Sequence, residues 1–79
     1  MSNDIQPQQL RAARAWLGWS QEQAALNAGV SVSTIRDFEA GRRTPVKNNL
    51  AAIRRAVADA GVIPMFSTGG DVAIGIVVL

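Results

Sequence analysis

The 79-residue sequence predicts a mainly α domain, with four short helices followed by a short C-terminal β-hairpin or β-strand. Three observations predict it. From Leu10 to Val57, apolar residues recur at spacings of three and four, the period of a helix with one buried face. Gly18, Gly29, Gly41 and Gly61 cut that stretch into segments of helical length, and glycine readily takes the positive φ at which helices end. Beyond Gly61 the pattern changes to β-branched runs on either side of Ser67-Thr68-Gly69-Gly70-Asp71, a hairpin connection.

Met1–Gln6 is polar and is expected to fray. Pro7 suits the first turn of a helix, where its missing N–H costs nothing. Leu10, Ala13, Arg14 and Leu17 then share one face, and Gly18 closes the helix. Ser20 with Gln23 forms a capping-box pattern that starts a second helix at Gln21. Ala28-Gly29 ends it, and Ser31 can cap a third helix whose inward face is Thr34, Ile35 and Phe38. A connection this short forces the second and third helices to cross steeply, which is the helix-turn-helix unit. Ala40-Gly41 ends the third helix and leaves Arg42-Arg43 in an exposed loop. Thr44-Pro45 reads as a cap and a first-turn proline opening a fourth helix, with Val46, Leu50, Ile53 and Val57 inward. Trp16, Trp19 and Phe38 are the large side chains assigned to the core.

The tail differs in kind. Val62–Phe66 and Val72–Leu79 read as strands, and the second run is apolar on both faces. An isolated two-stranded hairpin is marginal in water, and an apolar terminal strand needs cover on both sides. The tail is therefore expected to pack on the helices, to pair with a second chain, or both; the alternative is a disordered tail. Residues 1–61 form the expected helical domain and residues 62–79 a β tail serving as a dimerisation element.

A chain of this size supports one modest core. The net charge is only +2, but from Arg36 to Arg55 six basic residues face two acidic ones, an excess suited to a polyanion. The absence of cysteine excludes a disulfide framework and a zinc–thiolate site. The absence of histidine removes the usual general base and the commonest metal ligand. With carboxylates scattered singly, no catalytic residue, metal site, cofactor or small-molecule ligand is indicated, and an enzyme is a poor reading. Neither a signal peptide nor an apolar run long enough to span a bilayer is present, so a cytoplasmic, nucleoid-associated protein without membrane partners is expected.

Leu10–Arg14, Gly18-Trp19-Ser20-Gln21-Glu22, Ala25, Ala28-Gly29-Val30-Ser31, Ser33-Thr34-Ile35, Phe38-Glu39-Ala40-Gly41 and Arg43-Thr44-Pro45 resemble the phage-repressor helix-turn-helix family, also called Cro/CI-type or XRE. The likeness runs from about Leu10 to Gly61, and the continuation after Gly61 is similar to a group of small bacterial regulators of that family. It departs at Ala24, where the family carries a larger aliphatic; Trp16 or Trp19 is expected to fill that space.

The resemblance implies a lambda-repressor-like fold and a dimeric, sequence-specific transcriptional regulator, expected to be a repressor, whose partner is double-stranded DNA. The major groove admits one helix, whose exposed residues meet the base edges. On the third helix Ser31, Val32, Ser33, Arg36 and Asp37 are the candidate base contacts, and Val32, Ser33 and Asp37 match the family's main reading positions. Val32 suits a thymine methyl, Ser33 several bases and Asp37 cytosine N4, while Arg36 suits guanine O6/N7 or a phosphate. Gln21, Arg42, Arg43, Lys47 and Asn48 are the candidate phosphate contacts. Arg14 and Glu39 match a family ion pair joining the first and third helices, a structural role. A homodimer through the C-terminal strand would place two third helices in successive major grooves on a pseudo-palindromic site. The alternative is an antitoxin or anti-repressor module acting mainly through protein contact.

Overall fold

The computed structural model describes residues 4–70 and 72–79. Among them, four helices run in order, α1 (Pro7–Leu17), α2 (Gln21–Ala28), α3 (Val32–Glu39) and α4 (Lys47–Asp59). Two antiparallel strands follow, β1 (Val62–Phe66) and β2 (Ala73–Val78). Of the expected N-terminal tail and hairpin connection, Met1, Ser2, Asn3 and Asp71 lie outside the described residues.

Leu10, Ala13, Ala24, Ala25, Ile35, Phe38, Leu50, Ile53 and Val57 form the helical core, one or more from each helix. Ile5 joins them and is buried, which corrects the reading of residues 4–6 as frayed. The reason is a hydrophobic staple. Gln6 is the N-cap of α1, so Ile5 and Leu10 occupy the positions on either side of the cap whose side chains close over the first turn. The Gln6 backbone N–H also donates to Gln9 Oε1 at 2.9 Å.

Two further expectations are corrected. Trp16 lies on the solvent side of α1 and is 65% exposed, because Leu10, Ala13 and Leu17 already fill the inward stripe; it is Trp19 that packs against the core, and Ala24 is buried without Trp16. Helix α4 starts at Lys47, not at Pro45. Val46 keeps an extended backbone (φ −60°, ψ 158°) as the N-cap and accepts from the Asn49 and Leu50 N–H groups, which turns its side chain outward to 69% exposure.

The hairpin lies across the helices, β1 against α4 and β2 against α1. Val62 and Pro64 are buried, and Ile76 packs on the core from β2. Met65 pairs with Gly75 just before an irregularity at Met65/Phe66. Arg54 of α4 stacks its guanidinium 5.3 Å from the centre of the Phe66 ring, drawing one member of the basic stretch toward the hairpin.

Candidate nucleic-acid interface

The interface is built by two capped helices set on one turn. Ser20 Oγ accepts from the Gln23 N–H at 3.0 Å, and Gln23 Oε1 accepts from the Ser20 N–H at 2.9 Å, so the expected capping box opens α2. Gly29 ends α2 at φ +71° with open space where a Cβ would stand; backbone conformation, not crowding, calls for glycine there. Two residues on, Ser31 Oγ accepts from the Thr34 N–H at 3.2 Å and starts α3.

Helix α3 is anchored from behind. Ile35 and Phe38 are buried, and so is the Glu39 carboxylate, whose side chain is only 5% exposed. Arg14 of α1 meets it as a fork, Nε to Oε2 at 2.6 Å and Nη2 to Oε1 at 2.7 Å. The Glu39 hydrogen bond, opposed by burial, raises the Arg14 pKa above its ordinary value. Arg14 Nη1 also donates to the Trp19 carbonyl, and Arg11 Nη1 to the Glu39 carbonyl. The start of α2 and the end of α3 are thereby tied to α1.

The candidate residues separate into groups. Ser33 and Arg36 are exposed on the outer side of α3, with Asp37 half-buried beside them. Asp37 Oδ1 lies 3.5 Å from Arg42 Nη1, and the Asp37 carbonyl accepts from the Arg42 and Arg43 N–H groups, so the loop after α3 folds back on the reading side. Ser31 is exposed, but its hydroxyl is engaged with Ser33 Oγ at 3.0 Å and Thr34 Oγ1 at 2.8 Å as well as with the cap. Val32 is half-buried and packs against the core, leaving only part of its side chain for any ligand.

Arg42, Arg43, Lys47 and Asn48 are exposed. Lys47 Nζ approaches Asp4 Oδ2 at 3.6 Å with its side chain 84% exposed, a contact that costs little to exchange. Gln21 is placed differently from its expected role. Its side-chain amide donates inward to Glu39 Oε1 at 3.1 Å, leaving the backbone N–H groups of Gln21 and Glu22 as the donors at the start of α2. Ser33, Asp37 and Arg43 line one hollow of about 240 Å³ between α3 and the start of α4; Val46 and Asn49 close its far side.

Two residues that sequence reasoning missed hold the scaffold. Gln9 is 1% exposed, and its Nε2 donates to the Met65 carbonyl at 2.8 Å and the Gly75 carbonyl at 3.0 Å, fastening the hairpin to α1. Ile5 is the other; its signal was the five-residue spacing to Leu10 across a capping position.

The family model described as Helix-turn-helix matches residues 10–57, more than half of the chain, and covers both capped helices and the residues that anchor them. The chain belongs to this helix-turn-helix family. It is the XRE, or Cro/CI-type, group of DNA-binding transcription regulators, and as a member this protein is a DNA-binding transcription regulator. No curated protein matches the chain. Among the described residues, no helix is long and apolar enough to cross a membrane and no cluster of metal-ligating side chains occurs.

Proposed function

We propose that this helix-turn-helix protein is a repressor that binds a pseudo-palindromic operator as a homodimer, with α3 of each copy in the major groove. The observation that carries the reading is the polarity of α3. Its inward residues are locked to α1 and the core, and the side left in solvent carries Ser33, Arg36 and Asp37, bordered by the exposed cations Arg42, Arg43 and Lys47.

In this reading Ser33, Arg36 and Asp37 meet base edges, with Ser31 and the exposed part of Val32 at the N-terminal end of the helix. The first-turn N–H groups at Gln21, together with Arg42, Arg43, Lys47 and Asn48, contact phosphates and set the register. Residues 1–61 read DNA and residues 62–79 join two copies, so half-sites lie one helical turn apart, about 34 Å. The protein acts at the nucleoid in the cytoplasm.

Selection of bound duplexes from a random library tests this. The expected result is an inverted repeat with half-sites about 10 bp apart centre to centre. Failure to retard any duplex at low salt would overturn it and favour the second reading, an antitoxin or anti-repressor holding another protein through the exposed apolar residues of β2.

A further inference from the structure

Asp37 holds the loop after its own helix in two ways. Its carbonyl accepts from the Arg42 N–H at 2.9 Å and the Arg43 N–H at 3.3 Å, across a turn that Gly41 makes at φ +74°. Its carboxylate lies 3.5 Å from Arg42 Nη1. The backbone bonds keep Arg42 beside Asp37, but the side-chain contact is long for a charge-assisted hydrogen bond, and the Arg42 side chain is 62% exposed. Such a pair exchanges at little cost. Of Arg42, Arg43 and Lys47, only Arg42 is paired with a carboxylate of α3; Lys47 meets Asp4, and Arg43 makes no ion pair among the described residues.

Each member of the pair has a second partner once DNA is present. Arg42 can move to a phosphate, and Asp37 can accept from a base amino group, cytosine N4 or adenine N6, the donors of the major groove. The two moves are not independent. If Arg42 leaves while Asp37 meets no amino group, an uncompensated carboxylate stands in the negative field of the duplex. If Arg42 stays, one phosphate goes unneutralised and its counterion is not released.

Resting on the reading that α3 enters the major groove, we propose that Asp37 and Arg42 form an exchange pair that makes one phosphate contact conditional on the base sequence. On a duplex with an amino group opposite Asp37, both partners are replaced and Arg42 goes to the backbone. On any other duplex the pair stays closed and Arg42 is withheld. Asp37 raises specificity by weakening attachment to the wrong sequence as well as by reading the right one.

Fluorescence anisotropy of the full chain against salt, on the duplex selected from the random library and on a random duplex of equal length, tests this, with circular dichroism as the check on folding. Asp37→Asn keeps the size of the side chain and the backbone carbonyl that holds the loop. On random duplex it should steepen the slope of log K against log salt by about 0.9, one phosphate, and tighten binding about threefold. On the selected duplex it should leave the slope unchanged and weaken binding about tenfold. Loss of a negative charge would tighten binding to any duplex by itself, so Arg42→Gln completes a double-mutant cycle: in that background Asp37→Asn should no longer steepen the slope on random duplex. A gain that is the same with and without Arg42, or a slope that Asp37→Asn does not move, would overturn the exchange pair and leave α3 in the groove. A wild-type protein that binds no duplex at low salt would overturn the groove reading and the exchange pair together.

Discussion

Glu39 Oε1 accepts from two residues at once, Arg14 Nη2 at 2.7 Å and Gln21 Nε2 at 3.1 Å, so a single buried oxygen joins α1, α2 and α3. The position of α3, and with it the reading surface, depends on this junction as well as on the buried Ile35 and Phe38. A buried charge that loses its partner keeps its desolvation cost. Glu39→Gln, which removes the carboxylate bonded to Arg14, is therefore expected to lower stability by about 3 kcal/mol in urea unfolding. Arg14→Lys should lose the fork geometry and about 1 kcal/mol. A loss below ~0.5 kcal/mol for Glu39→Gln would mean that the pair behaves like a surface contact.

Gln9 performs the corresponding task for the hairpin. Replacing its amide by an apolar side chain of similar size takes a donor from the Met65 and Gly75 carbonyls at a part-buried site. Gln9→Leu should cost about 2 kcal/mol. Amide exchange is the discriminating measurement: β1 and β2 should lose protection before α2 and α3 do. Uniform loss across all elements would show that the hairpin does not depend on this clamp.

Base reading and phosphate binding separate by their dependence on sequence. Arg36→Ala combined with Asp37→Ala should cost about 1–3 kcal/mol per lost base contact on the selected site and much less on random duplex. Fluorescence anisotropy with both duplexes measures the difference. Equal losses on the two would assign these side chains to phosphates.

Arg43 lines the hollow beside α3, while Arg55 is exposed on α4 outside it. Arg43→Gln is expected to reduce the slope of log K against log salt by about 0.9 on every duplex. The same change at Arg55 should leave the slope unaltered. Identical effects at both positions would indicate diffuse attraction to DNA in place of a seated contact.

Stability should be nearly flat from about pH 6 to 9, because without histidine, cysteine or tyrosine only the α-amino group titrates in that window. Arg14 does not disturb this. Its hydrogen bond to Glu39 raises its pKa above the ordinary arginine value, so its contribution is fully present below the unfolded value and is lost only as pH rises through the folded one, far outside the window. Thermal melts across the range check it. A drop of several degrees between pH 6 and 8 would point to a coupled group elsewhere.

Much of this protein is legible in its sequence. Ser20 with Gln23, Gly29 and Ser31 are local signals, because a cap or a left-handed residue acts within its own turn, and all three act where they were expected to. The apolar spacing of Leu10, Ala13, Ile35, Phe38, Leu50, Ile53 and Val57 named the inward faces for the same reason. Such signals also misled where two local rules competed. Thr44-Pro45 looked like a helix start, yet the extended backbone at Val46 moved the start to Lys47.

The sequence by itself determined the elements, their order, the family and the outward side of α3, since each depends on residues close together in the chain. Only the tertiary structure decided which long-range partners complete them. Gln9 meets Gly75 across 66 residues and Gln21 meets Glu39 across 18, and neither residue carries a mark of its partner in its neighbours. Trp16 shows the same limit from the other side. Its aromatic ring suited the core, but burial depends on what else fills the inward stripe, and Leu10, Ala13 and Leu17 had filled it.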